Sequence, residues 1–266
     1  MPAPLLRLFL ALYFAHLLTD FLFQTRRMVD AKKRGGVAGY LAHGGVYYIT
    51  TVLVTAATIP GLLFSGISQA GIVGLVAIHL LIDIAKISLT SSGRIRDGVT
   101  AFVADQALHL LTVWVAACWI SGTPAWNSAS ALLAQARNTP DAMLLLGIVY
   151  ILVVFAGGYL IRYLTKSFLD GVKLTNETTP QLRNAGMYIG WLERFVILTA
   201  VLLQSPATIG LVLTAKSIVR YPQIDSPGFA EYFLVGTLLS LIEAMVGGLF
   251  LLRLIHSSLA TGWFTH

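Results

Sequence analysis

The sequence predicts an all-α integral membrane protein, a polytopic bundle of about seven or eight transmembrane helices. Hydrophobic residues make up 56% of its 266 residues and charged residues only 11%, whereas soluble domains average about 25% charged residues. Apolar segments of about 20 residues, the length that crosses a bilayer, follow one another along the chain. Basic residues cluster between these segments, as they do in membrane-protein loops. We therefore expect membrane lipid as a partner and no nucleic acid.

The apolar segments fall into two halves. Residues 1–122 hold four spans and the His/Asp residues described below, residues 123–141 form a polar external linker, and residues 142–266 form the second membrane half. The seventh segment is too short to cross a bilayer comfortably, so it is either a short span or one arm of a re-entrant hairpin. The expected segments are 4–23, 37–62, 68–89, 99–120, 142–164, 185–203, 207–219 and 229–255.

The Lys and Arg residues sort into alternate loops, and this pattern predicts an orientation. Two of them, Arg94 and Arg96, separate the third and fourth segments. By the positive-inside rule these loops lie in the cytoplasm and the N-terminus lies outside. The loop between the first and second segments holds five basic residues: Arg26, Arg27, Lys32, Lys33 and Arg34.

The first four segments carry histidine and aspartate at depths where a bilayer disfavours both. Ionisable groups inside a membrane cost several kcal/mol each unless they have partners. Three pairs have i, i+4 spacing, which places both side chains on one face of a helix. In the expected topology all of these residues lie in the cytoplasmic half or near mid-membrane. They are His16 and Asp20, His43, His79 and Asp83, and Asp105 and His109.

These seven residues form a candidate intramembrane metal site. Histidine and aspartate are common ligands of Zn²⁺ and Mn²⁺, and four His with three Asp exceed one tetrahedral site. They would suit two ions, an arrangement typical of enzymes that hydrolyse phosphate esters. Gln24, Lys86 and Gln106 lie one turn or one residue away, where they could orient the ligands. A proton or ion pathway and simple structural pairing between helices stay open as alternatives.

The second half has a separate polar set in its last three apolar segments. Glu193 and Arg194 are adjacent, so they cannot share a helix face and each needs another partner. Glu231 with Arg194 and Lys216 with Glu193 are plausible ion pairs. These residues either hold the helices together or, through Arg194, Lys216 and Arg220, bind the phosphate of an anionic headgroup.

Three motifs resemble a known family. The HxxxDFxxQ run from His16 to Gln24, the HxxxD at His79 and the DQxxH at Asp105 are similar to a bacterial family of polytopic membrane proteins, domain of unknown function 3307. The residues between Ala185 and Thr237 are similar to the C-terminal part of such proteins. The resemblance implies a multi-pass protein of the bacterial inner membrane and no particular activity. The His/Asp pattern is also loosely similar to inner-membrane proteins described as metal-dependent hydrolases.

The function expected from these observations is metal-dependent hydrolysis of a phosphoester at the cytoplasmic face, on a lipid-linked or amphipathic substrate. One of the Asp residues could serve as general base instead of as a ligand. A proton- or metal-coupled transporter is the main alternative. It needs access from both faces, whereas the polar residues crowd one face. A non-catalytic membrane component of a larger system is the third possibility.

The predicted orientation can be tested with topology reporters. A reporter fused after Lys33 should read cytoplasmic, and one fused near Asn127 should read external, because the basic loops stay inside. If both fusions report the same side of the membrane, the matched depth of the His/Asp residues is wrong as well.

Overall fold

The structure is a computed structural model that describes residues 4–124, 127, 142–166, 185–220 and 227–260; the side chains of 185, 220, 227–228 and 255–260 are excepted. These residues are helical and include no strand, which confirms the all-α prediction. The chain divides into two compact units, Met1–Ile148 and Val149–His266. Most of the expected linker at 123–141 lies outside the described residues.

The described part of the first unit holds five complete helices and two short helical turns. The elements are α1 (Leu5–Leu17), a π-helical turn π1 (Leu18–Phe23), α2 (Arg26–Lys33), α3 (Val37–Thr58), α4 (Gly66–Ser91) and α5 (Val99–Ser121). A 3₁₀ turn at Leu62–Phe64 joins α3 to α4. Helix α1 packs against α3 and α5, α3 also packs against α2 and α4, and α4 packs against α5.

In α1, α4 and α5 the buried face is a single stripe with one apolar half and one polar half. In α1 the stripe begins with the buried residues Leu5, Leu8 and Leu12 and continues one turn later to His16. In α4, Leu75 precedes His79 by one turn. Steps of three and four residues keep side chains on one face of a helix. The apolar core of the unit and its His/Asp residues are therefore neighbouring layers of one helix bundle.

The boundary between the two units falls inside α6 (Ala142–Ile151), after Ile148. The second unit continues with a second π-helical turn π2 (Leu152–Ala156) and α7 (Gly157–Leu164). Three further helices follow, α8 (Ala185–Leu202), α9 (Pro206–Arg220) and α10 (Pro227–Ala260). Helix α8 packs against both α9 and α10.

Six helices of the described part are long and apolar enough to cross a membrane. Helix α8 and the shorter apolar helix α9 are not among them, so a count of seven or eight spans stays a prediction, as does the re-entrant alternative for 207–219. The six are Leu5–Phe23, Val37–Thr58, Gly66–Ser91, Val99–Ser121, Ala142–Leu164 and Phe229–Leu254.

The short helix α2 is held against α3 by a close backbone approach at Gly39. A Cβ atom on Gly39 would lie 2.8 Å from both the Ala31 Cβ and the Lys32 backbone nitrogen. Gly35, with a φ of +73°, makes the turn between the two helices, a conformation that favours glycine. The position of α2 is therefore fixed by the absence of a side chain at Gly39.

We expect Gly39→Ala to destabilise the first unit, because the added methyl meets backbone that cannot move without shifting α2. Overpacking of this kind typically costs about 1–3 kcal/mol. The measurement is thermal unfolding of the purified protein in detergent.

The matched control is Gly45→Ala in the same helix, since a Cβ there meets nothing within 4 Å. That substitution should be neutral or slightly stabilising, because alanine is the better helix former. Equal unfolding temperatures for the two variants would contradict the tight contact between α2 and α3.

Candidate metal centre

The seven His and Asp side chains predicted from the sequence meet inside the first unit. They come from α1 and π1, α3, α4 and α5, the elements on which the apolar core is also built. All four histidines are at most 1% exposed, so bulk water has almost no access to their rings. Every one of the seven falls into at least one of three groups whose nitrogen and oxygen atoms lie within 4.8 Å of one another.

The first of these groups, triad A, consists of Asp20, His43 and His79. The Oδ1 atom of Asp20 is 3.4 Å from the Nε2 atoms of both His43 and His79. Those two nitrogens are 2.8 Å apart. Ligand atoms around a tetrahedral Zn²⁺ ion with bonds of about 2.0–2.1 Å are separated by about 3.3–3.4 Å. The three atoms are therefore spaced almost as three ligands of one ion.

The three atoms form a triangle whose size can be compared with the bond lengths of a bound Zn²⁺ ion. Its circumscribed circle has a radius of about 1.9 Å, from the three separations above. A point about 0.7–1.0 Å off the plane is then about 2.0–2.1 Å from all three atoms, the length of Zn–N and Zn–O bonds. The separations within triad A are thus compatible with three ligands of one divalent ion.

The second group, triad B, consists of Asp83, Asp105 and His109. The Nε2 atom of His109 is 3.7 Å from Asp83 Oδ1 and 3.5 Å from Asp105 Oδ1. The two triads adjoin through their imidazole rings, because His79 Nδ1 lies 3.1 Å from His109 Nδ1. The rings of His79 and His109 thus direct Nε2 into their own triads and Nδ1 toward each other. Triad A contains two His and one Asp, and triad B contains one His and two Asp.

His16 lies beside both triads. Its ring centroid is 4.9 Å from that of His109 and 5.3 Å from that of His79, and its Nε2 atom is 3.8 Å from Asp20 Oδ2. Both of its ring nitrogens are buried and have no hydrogen-bond partner among the described residues, and neither have Asp20 Oδ1, Asp105 Oδ1 and His109 Nε2. Buried polar atoms in proteins are nearly always satisfied, so these five unsatisfied atoms make the cluster a candidate site.

The three residues expected to orient the ligands all contact them. The Gln24 side-chain nitrogen is 3.4 Å from the His43 ring nitrogens. Lys86 Nζ donates to Asp105 Oδ2 at 2.8 Å, and Gln106 Nε2 donates to the same oxygen at 3.1 Å. The second oxygen of Asp105 is thereby held away from triad B, which leaves Oδ1 directed at His109.

Sequence reasoning missed Lys32, whose Nζ donates to Asp83 Oδ2 at 2.5 Å. Lys32 is 3% exposed although it belongs to the basic loop, where it was counted only as a marker of topology. A signal was present: Lys32 follows Met28 and Val29 by four and three residues, so it lies on the apolar face of α2. Tyr47 was also missed; its buried ring packs 4.7 Å from that of His79.

The polar residues of the second unit form a different kind of arrangement. Lys216 Nζ is 2.5 Å from Glu193 Oε2, the ion pair expected from the sequence. Glu231 is exposed and is not paired with Arg194, so that expectation was wrong. Arg194 instead contacts Ser240 of α10, which lies nine residues, or about 13.5 Å along the helix, beyond Glu231.

Arg194 is 4% exposed and binds the backbone at π2. Its Nε and Nη2 atoms donate to the Val154 carbonyl oxygen at 3.2 and 2.8 Å. A π-helical turn disturbs the regular i→i−4 hydrogen-bond ladder, and such turns often occur at functional sites. Since Arg194 and Lys216 already have partners inside the unit, their contacts favour the structural alternative over a headgroup site. The side chain of Arg220 lies outside the described residues, so anion binding by these three residues stays a prediction.

Comparison with known proteins identifies a family that the chain resembles. Neither the curated proteins nor the solved structures contain a match. The family model described as "Protein of unknown function (DUF3307)" matches residues 8–137, a range that contains all seven His and Asp residues and the three residues that contact them. The chain thus resembles that family over the part that builds the candidate centre, and the resemblance expected from its HxxxDFxxQ, HxxxD and DQxxH motifs is confirmed.

Proposed function

We propose that the chain is a metal-dependent hydrolase of the bacterial cytoplasmic membrane that cleaves a phosphoester at the cytoplasmic face. The substrate is lipid-linked or amphipathic, and the cofactor is one divalent ion or a pair, zinc or manganese. The observation that carries this proposal is the pair of adjoining triads, one of which has the spacing of a tetrahedral ion's ligands. The proposal includes seven or eight spans with the N-terminus outside, since the basic loops favour that orientation.

The charge of the centre supports cation binding. Asp20, Asp83 and Asp105 contribute three negative charges, and the ammonium groups of Lys32 and Lys86 that contact two of them contribute two positive charges. With neutral imidazoles these groups sum to −1. Asp20 is the carboxylate without a lysine partner, and it belongs to triad A. Removing a carboxylate from water is costly unless a cation compensates it, so triad A is where a cation is needed most.

The same charges support a phosphoryl substrate. Two divalent ions would raise the sum from −1 to +3, and a bound phosphate dianion would bring it back toward neutrality. A pair of ions supplies a water of lowered pKa and stabilises the charge that develops on the phosphoryl oxygens. Lys32 and Lys86 add positive charge to the centre, where they donate to Asp83 and Asp105.

We expect the purified protein to hold metal and to lose it when a triad carboxylate becomes an amide. Asp20→Asn and Asp83→Asn preserve side-chain volume and remove one anionic ligand each. Elemental mass spectrometry on protein purified without chelators should find zinc or manganese in the wild type and much less in the variants. Added metal should also raise the thermal unfolding temperature of the wild type, because a ligand at 100 times its Kd stabilises by about 2.7 kcal/mol.

The control for both readouts is Asp30→Asn, an aspartate on the exposed face of α2. It should keep the wild-type metal content and the wild-type thermal response. Metal at background level in the wild type, or equal loss of metal in Asp30→Asn and Asp20→Asn, would remove the basis for the proposed centre.

Hydrolysis is expected on lipid phosphoesters in the presence of the metal found. The measurement is release of inorganic phosphate from vesicles that contain phosphatidic acid, with the protein reconstituted in the same membrane. Asp83→Asn should lower the rate by at least about 10²-fold, the scale of a lost catalytic group, and a chelator should abolish it. Metal binding without phosphate release from phosphatidic acid would leave the metal centre in place and exclude hydrolysis of this lipid phosphomonoester.

A further inference from the structure

A groove of about 450 Å³ lies on the first unit where α2, the start of α3 and the end of α4 meet. It is open to the surroundings along one side. Its walls differ in chemistry: α2 contributes two basic residues, and the membrane-spanning helices contribute apolar side chains and hydroxyls. The lining residues are Lys32, Lys33, Gly35, Val37, Tyr40, Ile84, Ile87, Ser88 and Ser91.

The apolar wall of the groove belongs to helices that are long and apolar enough to cross a membrane. Val37, at the first turn of α3, is 69% exposed, and Ile84 in α4 is 44% exposed. Exposed aliphatic residues on a membrane span contact lipid acyl chains rather than water. The groove is therefore accessible from the hydrocarbon side, and an occupant with an apolar chain can lie along Val37, Ile84 and Ile87.

The basic wall of the groove lies on α2, in the loop between two spans. Lys33 is exposed and makes no ion pair with the residues that the structure describes. Lys32 lines the groove with part of its length and places its ammonium group on Asp83, inside the candidate centre. A single side chain thus reaches from the groove to a carboxylate of triad B.

We propose that this groove binds a phosphate-bearing lipid, with the phosphate at Lys33 and one acyl chain along Val37, Ile84 and Ile87. The groove would then be the substrate's entrance to the centre, with Lys32 between the two. This inference deepens the proposed function and rests on it for the reaction, although lipid binding itself needs no metal. It also moves the headgroup site from Arg194 and Lys216, which are engaged with protein partners, to a lysine that is not.

Charge complementarity argues for an anionic lipid over other occupants. Of the residues that line the groove, the charged ones are both basic, and the hydroxyls of Ser88 and Ser91 lie at the end of α4 where a headgroup would reach them. A neutral lipid would leave Lys33 without a partner, and a soluble anion would leave the apolar wall uncovered. Binding measurements can distinguish a neutral lipid and a soluble anion from the proposed anionic lipid.

The experiment is native mass spectrometry of the full-length protein in detergent, titrated with phosphatidic acid in the presence of a chelator. The wild type should retain the lipid. Lys33→Gln should weaken retention by about fivefold, near the effect of one basic residue on an anionic lipid. Ser88→Trp, which fills the groove from an exposed position, should abolish it. Phosphatidylcholine should bind more weakly than phosphatidic acid, and millimolar inorganic phosphate should not compete.

Two matched controls distinguish lipid binding in the groove from a general attraction of anionic lipid to basic residues. Arg34→Gln removes the next basic residue, which does not line the groove, and Ser92→Trp adds the same bulk one residue past Ser91. Both variants should bind as the wild type does. Equal losses in Lys33→Gln and Arg34→Gln, equal affinity for phosphatidylcholine, or displacement by inorganic phosphate would each overturn the proposal. Because a chelator is present, this measurement reports lipid binding apart from hydrolysis. Lipid binding here, together with no phosphate release by the metal-loaded protein, would leave the groove in place and reject only the enzymatic function.

Discussion

The first unit depends on the need of three buried carboxylates for positive charge. Asp20, Asp83 and Asp105 lie on helices that are otherwise apolar, where an unpaired anion would cost several kcal/mol. Two of them are met by lysines from elsewhere in the chain, at 2.5 and 2.8 Å. One of those lysines is on α2, so the short loop helix is bound to the bundle by charge as well as by its contact at Gly39. The ion-pair distances of Asp20 are all to imidazole nitrogens, and the proposed cation would supply the positive charge that a lysine supplies to the other two.

Much of the site could be predicted because its pattern is local. The pairs His79/Asp83 and Asp105/His109 are one turn apart in regular helices, so their shared face follows from the sequence alone. Lys32 could not be assigned to the centre in this way, since its partner is 51 positions away in the chain and only the docking of α2 brings them together. The π-helical turn at Asp20 could not be predicted from the sequence either, because no residue type in it distinguishes a π-helical turn from an α-helical one.

The two units treat buried charge in different ways. In the second unit Arg194 binds the Val154 carbonyl oxygen and the Ser240 hydroxyl, and Glu193 binds Lys216. These contacts are of the kind that hold helices together, although Glu193 Oε1 and Glu243 Oε2 are buried without a hydrogen bond among the described residues. In the first unit five nitrogen and oxygen atoms of His16, Asp20, Asp105 and His109 are buried without a hydrogen bond in the described structure. The His/Asp residues of the first unit thus hold more of these atoms than the charged residues of the second.

The π-helical turn Leu18–Phe23 carries Asp20 and ends one residue before Gln24, so it determines where both side chains lie. A π-helical turn holds more residues than an α-helical turn of 3.6. The wide turn therefore changes which face of the chain Gln24 occupies after Asp20, compared with a regular α-helix that advances about 100° per residue. The contact between Gln24 and the His43 ring depends on that wider turn. The number of residues between Asp20 and Gln24 is thus as much a part of this contact as their identities, and this span should tolerate conservative replacement far better than a change of length.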